Sequence, residues 1–265
     1  MAEKPFVSEL FQFAYIPKYD VAIQYLAEQL TDKEDQWEFS DAPDPRKYTI
    51  LRNYLEHYFR RIRQEGKVLF TKDNQWASFN TGLVTSNWEE IFALFRSNQS
   101  TYPDAPPFFF CGFFRESDSQ LLQHFNSQMP ELADFFQKPE ELIFNPNCKL
   151  IADIDHIIED NQGRFPMHLQ NYSSADLRKA LDGALAEVKR KIKTNYKLAV
   201  PQFYKGRIQL LLPLCLTPNS PNPDLALAAY KLNDTTYTAR TILSIKMAYN
   251  NARLIVKPQS TWLKP

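Results

Sequence analysis

Two long stretches of the chain place apolar residues at helical spacing. Leu51, Leu55, Phe59 and Ile62 fall on one face of a helix, because residues three and four apart share a side. Asp44 is placed to cap this helix, Pro45 suits its first turn and Gly66 stops it. Leu177, Leu181, Leu185, Val188 and Ile192 repeat the stripe behind a cap at Ser173 or Ser174. A shorter amphipathic helix is expected over 19–30, with Val21, Tyr25 and Leu26 inward, followed by a polar surface loop over 31–44. Directly after Gly66, residues 67–71 and 75–79 read as two strands around the turn Lys72-Asp73-Asn74. A helix followed at once by a hairpin is the closing half of a winged-helix module, although only one convincing helix precedes it.

Farther on, 87–96 is expected to be helical, 102–107 a loop, and 108–115 an apolar strand buried on both faces. Helical pieces are expected at 118–126 and 130–137, then strand and helix over 149–159. The final third alternates as strands at 199–204, 208–216, 225–232 and 237–245, with a surface loop over 217–223. Residues 246–255 form a last short helix or a continuing strand. The expected fold is α+β: a mixed or antiparallel sheet in the C-terminal half with packed helices, and a winged-helix-like N-terminal portion. No repeat divides the chain. A single unit is expected, with a possible subdivision into 1–100 and 101–265.

Composition narrows the chemistry. The chain has 265 residues, 44% of them hydrophobic and 23% charged, so a sizeable core is expected. Only 6 residues are glycine, and neither GxGxxG nor GxxxxGK[ST] occurs, which argues against dinucleotide-fold and P-loop phosphate cradles. The 31 basic residues balance the 31 acidic ones, so any attraction for a polyanion must come from local patches. Cys111, Cys148 and Cys215 are odd in number, widely spaced and set in apolar stretches. They are expected to be buried, inert thiols of a reducing compartment. No GxSxG elbow occurs, so nucleophilic catalysis has no support. The first residues lack a basic-then-apolar layout, and no apolar run approaches about 20 residues. A cytoplasmic protein without membrane partners is expected.

Three constellations remain. Arg60, Arg61 and Arg63, with Arg52, His57 and Lys67 nearby, form one basic segment. Lys189, Arg190, Lys191 and Lys193, with Lys197, form another. Cations on one face contact phosphates, and Tyr54, Tyr58, Trp76 and Tyr196 are placed to stack on bases, so RNA binding that falls steeply with salt is expected. Basic residues in a last helical turn also serve simply to favour its dipole. The second constellation is Asp153, Asp155, His156 and Asp160, with Asn161 and Arg164 behind. One alternative makes Asp153, His156 and Asp160 ligands of Mg or Mn, with Asp155 and His156 catalytic in a phosphodiesterase or nuclease. In either a strand or a helix, however, Asp153, Asp155 and His156 do not share one face. Helix capping by Asp153, an Asp160–Arg164 pair and ligand contacts from His156 are favoured instead. The third is a set of polar residues in apolar context: Asn80 and Thr81, Gln202, and Asn250, Asn251 and Arg253. Such groups are bracing or ligand contacts. With Arg115, His156, Asn161 and Arg164 they form the candidate ligand pocket, and they are expected to converge on one cleft.

Several phrases carry a resemblance over nearly the whole chain from Tyr15. They are Phe79-Asn80-Thr81-Gly82-Leu83, Asp155-His156-Ile157 through Arg164-Phe165-Pro166, Val200-Pro201-Gln202, Leu211-Leu212-Pro213-Leu214, and Met247-Ala248-Tyr249-Asn250-Asn251-Ala252-Arg253-Leu254. On these the sequence resembles a bacterial family catalogued as domain of unknown function 3825. The resemblance implies an association with cold-shock and LOTUS-type winged-helix modules, to which some members are joined, and through them with RNA. It supplies no catalytic residues. RNA or a small nucleotide is therefore the expected partner, bound by the chain's own surface without turnover and without a cofactor. A protein-interaction scaffold is the remaining alternative.

Overall fold

The computed structural model describes residues 8–33, 35–39, 46–217, 220, 222–255, 257–258 and 262–263. The chain forms two compact units, 1–134 and 135–265. The α+β expectation holds in both, because each contains a mixed five-stranded sheet with helices packed on it.

The first unit opens with helix α1 (Glu9–Phe13), the two-residue strand β1 (Ala14–Tyr15) and helix α2 (Tyr19–Tyr25), which runs on as a π-helical turn over Leu26–Leu30. Ile23, Leu26 and Leu30 face inward. Val21 and Tyr25, expected inward, are exposed and line a groove of about 680 Å³. The stripe that wins is Ile23–Leu26–Leu30, at the ordinary three- and four-residue helical spacing. Helix α3 (Thr49–Gln64) follows, and its stripe of Leu51, Leu55, Phe59 and Ile62 is wholly buried. Each such side chain contributes about 1.5–3 kcal/mol of transfer free energy. Asp44 and Pro45, the expected cap, lie outside the described residues. The residue at the helix start is Tyr48, in left-handed conformation, its N–H donating to Glu38 Oε1 at 2.9 Å. Gly66 ends the helix at φ +68°, with Lys67 N donating back to Ile62 O.

The hairpin follows as β2 (Leu69–Phe70) and β3 (Trp76–Val84), with Asn74 in positive φ at its turn. It is not a free wing. Strands β4 (Glu90–Ser97) and β5 (Phe108–Arg115) continue it into a sheet ordered β1-β5-β4-β3-β2, parallel only between β1 and β5. The helix–hairpin order of a winged helix is present, but as the edge of a larger sheet. Strand β4 corrects the helix expected at 87–96. Ile91 to Phe95 are five consecutive buried residues, which needs cover on both faces of a strand. Strand β5 crosses the sheet just after residue 100, so that subdivision is not where the units part. Expected to be buried on both faces, β5 buries only Phe110 and Phe113. Helix α4 (Ser119–Phe125) packs Leu121 and Phe125 on Phe92 and Leu94, and residues 130–137 form no helix.

In the second unit, β6 (Lys149–Ala152) leads into α5 (Ile154–Asp160), then the long α6 (Ser174–Thr194). Ser173 caps α6 by accepting from Asp176 N, and its predicted stripe is buried. Strands β7 (Val200–Tyr204), β8 (Arg207–Leu214), β9 (Leu225–Asn233) and β10 (Thr236–Ser244) complete a sheet ordered β6-β10-β9-β8-β7. Leu210, Leu212 and Leu214 meet α5 and α6 on one face. The last helix, α7 (Ile245–Ala252), covers part of the other, against β7, β9 and β10. The loop expected over 217–223 lies partly outside the described residues. No helix among those described is long and apolar enough to cross a membrane.

Candidate functional site

The acidic segment forms local pairs. Asp153 caps α5 by accepting from His156 N and also meets Arg240 at 3.3 Å. Asp155 pairs with Arg178. His156 Nε2 lies 3.2 Å from Asp160 Oδ2, one helical turn on, so Asp160 takes His156 rather than Arg164. Arg164 instead donates to Asn161 Oδ1 at 2.6 Å and to Ile242 O at 2.7 Å. Among the described residues no three His, Cys, Asp or Glu side chains are grouped to hold a metal ion.

The polar residues set in apolar context are mostly braces. In the first unit, Asn80 Nδ2 donates to Glu90 and its Oδ1 accepts from Gly82 N, while Thr81 Oγ1 donates to Ile91 O at 2.6 Å. Arg115, at the end of β5, is exposed. In the second unit, Asn251 Nδ2 donates to Gln202 Oε1 at 3.0 Å, and Gln202 Nε2 donates to Gln209 Oε1 at 2.9 Å. Asn250 Oδ1 is buried without a partner among the described residues, and Arg253 is buried. The structure does not bring the second unit's polar residues together. Asn161 and Arg164 belong to the face of the sheet covered by α5 and α6, whereas Gln202 and Asn251 belong to the face under α7.

The two basic segments differ. Arg60 and Arg63 reach Glu9 at 3.2 and 3.7 Å, and Arg61 pairs with Glu65, so the first segment is largely neutralised by its own carboxylates. Its aromatics are spent as well: Tyr54 and Tyr58 are core residues. The second segment stays open. Lys189, Arg190, Lys191 and Lys193 are exposed on α6, and only Lys191 among these four holds an ion pair, to Glu187. Tyr196 beyond them is exposed too. The cysteines are not the buried thiols expected. Cys111 is exposed where β5 bulges, with burial of its sulfur still raising its pKa above the ordinary thiol value, and Cys148 and Cys215 are half-buried.

The first sheet also brings together residues that no local pattern joins. Tyr15 lies directly opposite Phe109, Phe109 opposite Arg96, and Arg96 opposite Trp76. Directly paired residues project from the same face, so these four form one row across β1, β5, β4 and β3. The Arg96 guanidinium lies over the Phe109 ring at 4.8 Å, and Tyr15 and Phe109 have centroids 5.9 Å apart. At the far end Trp76 stacks on His124 of α4 at 3.8 Å. Tyr15 is 54% exposed, and Arg96 is exposed with no ion pair to a described carboxylate. Beside the row opens a cleft of about 730 Å³, bounded by Tyr15, Arg96, Phe109 and the 98–106 loop, whose Tyr102 is 80% exposed. Asn98 ties that loop down by donating to Pro106 O at 2.8 Å. Trp76 is the one member legible in the sequence as a stacking residue; the others need the strand register.

The fold defines an α+β protein built on two mixed five-stranded sheets. The family model described as Domain of unknown function (DUF3825) matches residues 27–262, most of the chain, and the chain belongs to that family. No curated protein and no solved structure matches it.

Proposed function

We propose that the chain is a cytoplasmic protein that binds single-stranded RNA or a nucleotide, without turnover, on the exposed rim of its first sheet. The row Tyr15–Phe109–Arg96–Trp76 carries this reading. A flat sheet surface bearing aromatic rings and a guanidinium stacks on bases whatever their identity, and the cation offsets phosphate charge. The adjoining cleft gives one base a second wall in Tyr102, on a loop that Asn98 and Ser100 brace with their own hydrogen bonds. Base–aromatic stacking is worth about 1–3 kcal/mol per base.

The test is fluorescence anisotropy of a labelled heptauridine against the full chain, wild type and with Arg96→Ala or Tyr15→Ala. Each substitution is expected to weaken binding about tenfold, within the range for loss of one stacking partner. Wild-type affinity in both variants would sink the proposal. The triple reversal Arg60→Glu, Arg61→Glu and Lys191→Glu is the contrasting arm, expected to change affinity less than Arg96→Ala does.

A further inference from the structure

The second sheet carries a comparable rim. On β7, Val200, Gln202 and Tyr204 alternate onto the face under α7. Their partners on β8 share that face, since Gln202 lies opposite Gln209 and Tyr204 opposite Arg207. Helix α7 covers the inner part, and the chain Asn251–Gln202–Gln209 closes it with hydrogen bonds. One step farther out on the same strands, cover ends. Tyr204 is 47% exposed, and the exposed Arg207 guanidinium lies 3.7 Å from the centroid of the Tyr230 ring on β9. Tyr230 in turn is opposite Thr238, and Thr238 opposite the exposed Ile151.

Three observations point to a ligand. Arg207 has no ion pair to a carboxylate among the described residues, and its guanidinium lies on an aromatic ring. The β7–β8 turn places Lys205 and Gly206 both at positive φ, +49° and +80°, the tight hairpin geometry that normally takes Asn-Gly. A lysine is uncommon in that left-handed position, and its ammonium lies 5.4 Å from the centroid of the Tyr204 ring. The result is a corner with two aromatic rings, one planar cation and one point charge, all outside the core. It repeats the chemistry of the first unit's row: aromatic, arginine, aromatic, at the rim of a sheet partly covered by a helix.

We propose that Tyr204, Arg207 and Tyr230 form a second stacking site for single-stranded RNA, with Lys205 taking the phosphate. A guanidinium lying on a tyrosine offers its other plane to a base, and an adjacent ammonium suits the backbone. The proposal rests on the reading that this chain binds RNA, but not on the first unit's row being its site.

The experiment is calorimetric titration of the full chain with the tetranucleotide U4, too short to need more than one surface. Wild type is expected to take up two equivalents. Arg207→Ala is expected to leave one, with the affinity of the remaining site unchanged. Arg207→Lys keeps the charge, loses the plane and is expected to weaken that site about fivefold. Ultraviolet crosslinking of 4-thiouridine-substituted U4 should mark the peptides holding Tyr204 or Tyr230 in wild type and in Arg96→Ala. A single equivalent in wild type that Arg207→Ala leaves intact would overturn the second site. Binding that survives Arg96→Ala and disappears in Arg207→Ala would establish the second site and refute the first. Circular dichroism of each variant separates lost binding from lost fold.

Discussion

Gly82 is the residue on which the first unit's packing turns most sharply. It stands at φ +71°, within a register shift between β3 and β4, beneath Tyr54 and Tyr58. A Cβ built there would lie 2.5 Å from Tyr58 Cζ and 2.6 Å from the Tyr54 hydroxyl. Neither ring can yield freely. The Tyr54 hydroxyl donates to Thr81 O at 3.0 Å, and the Tyr58 hydroxyl accepts from Ala133 N at 3.1 Å. Alanine at this position adds left-handed backbone strain of about 1–2 kcal/mol to overpacking of about 1–3 kcal/mol. Gly82→Ala is therefore expected to destabilise the first unit by about 2–5 kcal/mol in denaturant unfolding, and a midpoint equal to wild type would contradict this account. The same geometry explains why Asn80 and Thr81 are braces. Their side chains satisfy the backbone at the register shift, which leaves little of either amide or hydroxyl for a ligand.

At the level of elements, α3 and α6 were legible because their evidence is local: a stripe of large apolar residues, closed by Gly66 in one and opened by Ser173 in the other. Strand β4 was not, because Ile91 to Phe95 are buried on both faces and show neither the helical nor the alternating period. The aromatic–arginine row was hidden for a different reason. Tyr15, Trp76, Arg96 and Phe109 belong to four strands, and only register aligns them. Both basic segments were visible in sequence, but the pairing of Arg60 and Arg63 in the first was not, since their partner Glu9 lies on another helix. Helix α4 supplies a check on the row's far end. His124 stacks on Trp76, and loss of water holds its pKa below the ordinary imidazole value, with Asp73 pulling weakly the other way. Protonation is then harder in the fold than in the unfolded chain. The stability tied to the neutral ring is present above about pH 6.5 and is lost as pH falls below it. Proton NMR titration should find His124 below the ordinary value in wild type and nearer to it in Trp76→Ala. An unchanged value in that variant would mean that the Trp76 stack is not what dries the ring.

For the whole molecule, the decisive quantity is how much of any RNA affinity is electrostatic. Net charge is zero, so long-range attraction has no global source, and salt dependence must count the individual cations that meet phosphate. For single strands the logarithm of affinity falls with the logarithm of salt with a slope of about −0.7 per phosphate neutralised. The first basic segment contributes little to that count, because Glu9 and Glu65 already hold Arg60, Arg61 and Arg63. A strand stacked on the first sheet meets Arg96 and few other free cations, which gives a slope of about −1. A strand running along the open end of α6 would meet Lys189, Arg190 and Lys193 and give a slope of about −2 or steeper. With the first segment paired, the steep dependence expected from the basic residues in sequence would have to come from α6, whereas binding on the sheet rim predicts a shallow one. Anisotropy with heptauridine across a series of salt concentrations should return the shallow slope in wild type and in the triple variant Lys189→Gln, Arg190→Gln, Lys193→Gln. A steep wild-type slope that the triple variant flattens, with affinity unchanged in Arg96→Ala, would move the site from the sheet rim to α6.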